Sequence, residues 1–477
     1  MESITIHPTM PNNKDHKLHI AMLPWLAFGH MIPYLELAKL IAGKGHRISF
    51  ISTPRNIDRL PPLPPNLSTL ITFVKLPLPQ NANLPEGAEA TSDLPEDEVA
   101  HLKIAYDSLH QPITQFLTSS KPDWILFDFA PYWLPEIAQN LGIPTAFYSI
   151  MLAAVLSFAG PTSPEVPPDD RKLPEDYTVQ PKWVPFPATV AWRLFEVLRL
   201  DKRITGDEKN ASDKYRFIET LRGCDLIAVR SCAEFEQEWL SLLEVLHGKP
   251  VLPVGLLPPT PQDDNENVMW PSIKDWLDRQ GKNTVVYVAF GTEAMPNQEE
   301  VTEIALGLEK SGLPFFWVLR TKQGSDAVKL PEGFEERNEG RGVVCRSWAP
   351  QLKILTHDSV GVFLSHSGWS SVVEVLTFGK PLVLLPMSND QGLNARLFGE
   401  KKVGYELPRD ERDGSFTSEV VAESLRMVIE KEEGKAYREK SKELKPLFGD
   451  RNRQDLYVDK FLDYLTVLTT NQRRRSI

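Results

Sequence analysis

The segment from Trp348 to Gln391 gathers side chains that together could hold a ligand with a flat base, hydroxyls and a charged linker. Val360 to Ser365 reads as a short apolar strand, which Gly368 breaks. Trp369 to Phe378 then reads as a helix, closed by Gly379 and Pro381. A helix that starts just after a strand aims unsatisfied N–H groups and partial positive charge at whatever lies above it. His366 and Ser371 flank that start, where a diphosphate would dock. Glu374 lies one turn further on and can accept hydrogen bonds from ribose hydroxyls. Trp348 can stack on a base. Asp390 and Gln391 follow a second strand, Leu382 to Leu385, and so belong to the same carboxyl edge, where open α/β sheets bind ligands.

A second constellation lies upstream. Leu18 to Pro24 reads as a buried strand, Trp25 to His30 as a loop, and Met31 to Gly43 as a helix with Pro33 in its first turn. His30 therefore stands at a strand-to-helix turn. Trp124 to Phe127 is another buried strand, with Asp128 at its end and a helical segment from near Pro131. Parallel strands would bring His30 and Asp128 to one rim. A carboxylate beside an imidazole fixes its tautomer and stabilises the imidazolium formed when it takes a proton. A third strand, Thr284 to Phe290, runs into Gly291-Thr292 and then a helix opened by Asn297, Glu299 and Glu300.

The Trp348–Gln391 segment resembles the signature box of the plant UDP-dependent glycosyltransferases of small molecules. The matching positions are Trp348, Pro350, Gln351, His366, Gly368, Trp369, Ser371, Glu374, Pro381, Pro386, Asp390 and Gln391. That many fixed letters do not fall into register by chance. The resemblance implies Trp348 on uracil, Gln351 and Glu374 on ribose, His366 and Ser371 on the diphosphate, and Asp390 and Gln391 on the sugar. It also implies a phosphate contact at Thr292, where the family has Ser. The whole donor set it implies is Gly29, Thr292, Trp348, Ala349, Gln351, His366, Gly368, Trp369, Ser370, Ser371, Glu374, Asp390 and Gln391. Ser370 departs, standing where most of the family has Asn. The resemblance further implies that His30 is the general base, with Asp128 its partner.

Trp25-Leu-Ala-Phe-Gly-His30, Asp128-Phe-Ala-Pro-Tyr-Trp133 and Pro181-Lys-Trp-Val-Pro-Phe-Pro187 look like the branch that adds a sugar to a sugar already on a flavonoid or terpenoid. The expected reaction is inverting transfer, most simply of glucose, from a UDP-sugar to such a hydroxyl. The bare aglycone is the alternative acceptor, and a non-catalytic nucleotide-sugar-binding protein is the alternative class. Trp25, Phe28, Tyr132, Trp133, Met151, Phe186, Trp192 and Met387 are candidates to wall the acceptor pocket, and Glu293 to meet an acceptor hydroxyl. No metal or other cofactor is expected. The chain has no Asp-x-Asp, the motif that would hold a divalent cation under a diphosphate in the metal-dependent alternative fold. Nor does the first strand lead into Gly-x-Gly-x-x-Gly, which a nicotinamide oxidoreductase would want.

The strand–helix alternation in both halves favours parallel sheets covered on both faces. The expected fold is α/β, two facing Rossmann-like doubly wound domains of GT-B type with the active site in the cleft between them. Residues 1–255 would form the acceptor domain, joined by a C-terminal helix near 455–470, and 256–454 the donor domain. Pro253 to Trp270 reads as the linker. Arg59 to Pro65, Pro77 to Glu98 and Gly160 to Pro187 read as rim loops. Arg473 to Arg475 read as a frayed tail. A chain of 477 residues suits two domains. Its net charge of −11 argues against nucleic acid or an anionic membrane as partner. Three cysteines without disulfide or metal spacing, and an N-terminus unlike a signal peptide, fit a cytoplasmic protein. A monomer without an integral membrane segment is expected.

Overall fold

The computed structural model describes residues 17–79, 84–205, 210–259, 268–291, 294–320 and 328–475. Thr292 and Glu293, the N-terminal 16 residues and much of the expected linker lie outside them.

Two parallel sheets organise the chain. The first contains β1 (His19–Leu23), β2 (Arg47–Ser52), β3 (Ile71–Lys75), β4 (Trp124–Phe127), β5 (Thr145–Ser149), β6 (Leu226–Val229) and β7 (Val251–Pro253), in the order β3-β2-β1-β4-β5-β6-β7. The second contains β8 (Val285–Ala289), β9 (Phe315–Val318), β10 (Gly342–Cys345), β11 (Val360–Ser365), β12 (Leu382–Leu384) and β13 (Gly404–Glu406), in the order β10-β9-β8-β11-β12-β13. Several central strands (β4, β5, β6, β8, β11) are buried along their whole length, as sheets covered on both faces require. The GT-B type two-lobed fold read from the sequence is therefore the fold observed.

Each sheet reverses its winding once. The reversal lies between β1 and β4 in the first and between β8 and β11 in the second. Loops diverge there and leave a crevice at the carboxyl ends of the strands.

Three boundaries differ from expectation. The helix after β1 runs Phe28–Gly43, so Gly29 and His30 occupy its first turn rather than a loop. The His30 and Met31 amides already bond to Ala27 O, which starts the helix three residues early and leaves Pro33 in its interior. The last helix is Arg451–Arg475, longer than expected. Val458, Phe461, Leu462 and Leu465 bury its apolar stripe against the first lobe. Arg473 belongs to this helix rather than to a frayed tail, and it pairs with Asp123 at 2.6 Å. Among the described residues, the rim segments carry short 3-10 turns, such as Thr91–Asp93 and Pro174–Tyr177.

Candidate active site

The Phe28–Gly43 helix follows β1, and Asp128 follows β4, so the two meet at the first sheet's reversal. Asp128 is 2% exposed. Its Oδ2 accepts the Trp25 amide at 2.7 Å and lies 2.8 Å from His30 Nδ1, while Oδ1 accepts from the Ala130 amide. A carboxylate already receiving a backbone N–H makes Nδ1 the donor of the pair. The neutral ring then carries its lone pair on Nε2, the atom a base would use. Phe129 flanks the imidazole, with ring centroids 5.8 Å apart.

The second sheet's reversal holds the other set. Gly291 lies two residues after β8, and Ser365 ends β11. His366 sits between glycines. A Cβ on Gly368 would come within 2.4 Å of His366 Nε2, and one on Gly291 within 3.0 Å of Cε1. Only hydrogen at both positions lets the ring lie across the helix start. Desolvation pulls the His366 pKa down to about 4, so the ring is neutral near pH 7 and donates one N–H. Ser367 and Asn389 have φ of 68° and 56°, left-handed backbone immediately before Gly368 and Asp390. Strain of this kind concentrates at functional sites.

Gln351 Nε2 donates to Glu374 Oε2 at 2.6 Å, and Tyr287 donates to the Gln351 carbonyl oxygen. This pairs the two residues expected on the ribose. Trp348 leaves 57% of its surface exposed, open to stack. Asp390 stands at the N-cap position of the helix Gln391–Glu400 without a side-chain capping bond and accepts from Asn394 at 2.9 Å, whereas Gln391 Oε1 accepts from the Met387 and Ser388 amides. Desolvation raises the pKa of both Glu374 and Asp390. The next contributions on Asp390 oppose it, from Asn394, its own backbone and the charge of His30. The first lobe's imidazole thus lies within electrostatic range of the second lobe's carboxylate.

Several expected residues stand elsewhere. Trp25 is 3% exposed and packs edge-on against Tyr106 and Phe129, so it is core, not pocket wall. The Trp369 indole is not open to a donor. It stacks between Phe235 and Phe398 and donates to Arg230 O at 2.8 Å, holding the lobes together. Ser370 accepts from Arg230 across the lobes. Trp192 lines an open groove of about 440 Å³ with Thr189, Arg193, Arg396 and Glu411, a set sharing no residue with the His30 or Trp348 groups. Phe186 packs edge-on against Trp239, and Trp133 donates to Asp107. Tyr132 lies under the Arg216 guanidinium. Phe28 faces Arg59 at 4.9 Å, and Met151 and Met387 are half-buried against the cores. Gly29 is exposed, with nothing within 4 Å of where a Cβ would stand, and Ala349 is buried. Sequence reading missed Phe129 and Arg230. Phe129 was signalled by its place beside Asp128. Nothing in spacing tied Arg230 to Ser370, which lies 140 positions away.

Two doubly wound lobes, each with its polar cluster at the winding reversal and both facing one cleft, define a glycosyltransferase of GT-B type. The chain belongs to the UDP-glycosyltransferase family of plants. A family profile described as UDP-glucoronosyl and UDP-glucosyl transferase matches residues 244–461. UDP-glycosyltransferase 91A1 of Arabidopsis thaliana is 55% identical over 96% of this chain and 99% of its own. The anthocyanidin-3-O-glucoside rhamnosyltransferase of Petunia hybrida is 35% identical over 96% and 99%. Among solved structures, the Glycyrrhiza uralensis enzyme UGT73P12, complexed with glycyrrhetinic acid 3-O-monoglucuronide, superposes with a TM-score of 0.78 over 97% of this chain and 98% of that one, at 21% identity. The chain is a UDP-sugar glycosyltransferase acting on small-molecule acceptors. No helix among the described residues is long and apolar enough to cross a membrane.

Proposed function

We propose that the enzyme transfers a sugar with inversion to a hydroxyl of a sugar already attached to a flavonoid or terpenoid. The observation that carries this reading is the His30–Asp128 pair at 2.8 Å, standing at the winding reversal of the first sheet. His30, oriented by Asp128, takes the acceptor proton as the oxygen attacks the anomeric carbon from the face opposite UDP. Negative charge then develops on the departing diphosphate. His366, Ser371, Thr292 and the N–H groups at the start of the Trp369–Thr377 helix receive it. Trp348 holds uracil, Gln351 and Glu374 the ribose, and Asp390 and Gln391 the sugar. The reaction needs no metal.

Residues 1–255 with the C-terminal helix hold the acceptor, and 256–454 hold the donor. The enzyme works as a cytoplasmic monomer. Glucose is the donor favoured by Gln391, although the Petunia relative is named for rhamnose. That relative is also named for an acceptor already bearing glucose, which supports sugar-on-sugar transfer. The test is a mass-spectrometric screen of UDP-glucose, UDP-rhamnose and UDP-xylose against flavonoid and terpenoid glycosides and their aglycones. Mass gain on glycosides alone is expected. Gain on aglycones alone would overturn the acceptor assignment, and an α-linked product from an α-linked donor would overturn inversion.

A further inference from the structure

Arg230 has no part in the steps above, yet it reaches the donor side from the acceptor lobe. It follows β6 and is 3% exposed. Its Nη1 donates to Ser370 Oγ at 2.7 Å, and its Nε to Leu256 O at 3.0 Å. Its own carbonyl accepts from the Trp369 indole. One residue of the first lobe is thus bonded to the first two residues of the Trp369–Thr377 helix.

The placement is electrostatically odd. The described hydrogen-bond partners of this guanidinium are two carbonyls and a hydroxyl, with no carboxylate among them. The carboxylates of Glu374 and Glu36 act on it through space without a hydrogen bond, and a buried cation without a contacting counter-charge remains unfavourable. Here it also faces a helix N-terminus, itself the positive pole. An anion lying over the helix start would relieve both.

We propose that Arg230 is a positioning residue for the donor diphosphate, acting through Ser370. Ser370 accepts from the guanidinium, which leaves its O–H to donate to a phosphate oxygen and polarises that bond. The diphosphate then draws on charge from both lobes, so donor binding favours their closure. This inference rests on the reading that the diphosphate docks at Gly368.

Calorimetric titration of UDP and of uridine into the wild-type protein, Arg230→Met, Arg230→Lys and Ser370→Ala tests it. Uridine has the same base and ribose without the phosphates. Arg230→Met is expected to weaken UDP by about tenfold to a hundredfold, the worth of a hydrogen bond to a charged group. Uridine should bind unchanged, and Arg230→Lys should recover part of the loss. Ser370→Ala should weaken UDP while sparing uridine. If Arg230→Met does not fold, the Lys and Ser370→Ala proteins decide by the same ratio. Equal losses for UDP and uridine would reduce Arg230 to a structural latch, and unchanged UDP affinity would remove it from the site altogether. Wild-type protein that binds uridine as tightly as UDP would instead overturn the docking of the diphosphate at Gly368.

Discussion

An imidazole serves as a base only if its ring is held and its other nitrogen is already a donor. Asp128 supplies both conditions, fixed in turn by the Trp25 and Ala130 amides. His30→Ala is expected to lower kcat by about a hundredfold to ten-thousandfold with UDP affinity kept. Asp128→Asn keeps the shape but can present N–H to Nδ1 and turn the tautomer round, which also takes the acceptor from the Trp25 amide, so kcat should fall and the melting temperature should drop by a few degrees. Steady-state kinetics beside UDP titration checks both, and wild-type turnover in His30→Ala would sink the base assignment. Glu374 and Asp390 yield a pH prediction. Desolvation raises both pKa values, so they protonate at a higher pH than ordinary carboxyls and then hold hydroxyls without the charge that strengthens those bonds. UDP-sugar affinity should therefore fall on the acid side before exposed carboxylates titrate. An affinity flat through that range would mean that neither carboxylate holds a hydroxyl.

At the scale of elements, the site is made by backbone geometry as much as by side chains. His366 fits over the helix start because Gly291 and Gly368 have no Cβ. Gly368 has ordinary φ of −65°, so Gly368→Ala strains no torsion. Its Cβ would nonetheless meet Nε2 at 2.4 Å and push the ring aside. Overpacking of this kind costs about 1–3 kcal/mol. UDP affinity should drop about tenfold or more while far-UV circular dichroism stays unchanged, and unaltered UDP binding would show that the ring has room to move.

Strands and caps were legible at this scale. Val360–Ser365 matched residue for residue, and Asn297 forms the expected cap with Glu300. The start of the Phe28–Gly43 helix was not, because the Ala27 carbonyl that begins it carries no side-chain signal and Pro33 pointed to a later start. Trp25 and Trp369 misled for a related reason. Sequence places an aromatic near a cleft but does not say which way its ring turns, and both turn into packed cores. Contacts between the lobes were illegible, since Arg230–Ser370 and Glu196–Arg396 join positions that no local pattern relates.

Across the whole molecule, those contacts decide how firmly the cleft is held. Arg396, on the helix that begins at Gln391, pairs with Glu196 of the first lobe and Glu406 of the second, and Arg193 closes the set on Glu406 at 3.2 Å. All four side chains are at most 20% exposed, so solvent screens them weakly. Glu196 also packs so closely on Gly392 that a Cβ there would strike its carboxylate at 2.4 Å. Arg396→Met would leave Glu196 buried without its cation, an imbalance worth about 3–5 kcal/mol. Arg396→Met with Glu196→Leu removes the stranded charge too and should regain much of that loss. Urea unfolding of the three proteins measures the difference. A single substitution that costs under about 1 kcal/mol would show the network to be solvated. A double substitution no better than the single would mean that packing, rather than charge, joins the lobes at this edge of the cleft.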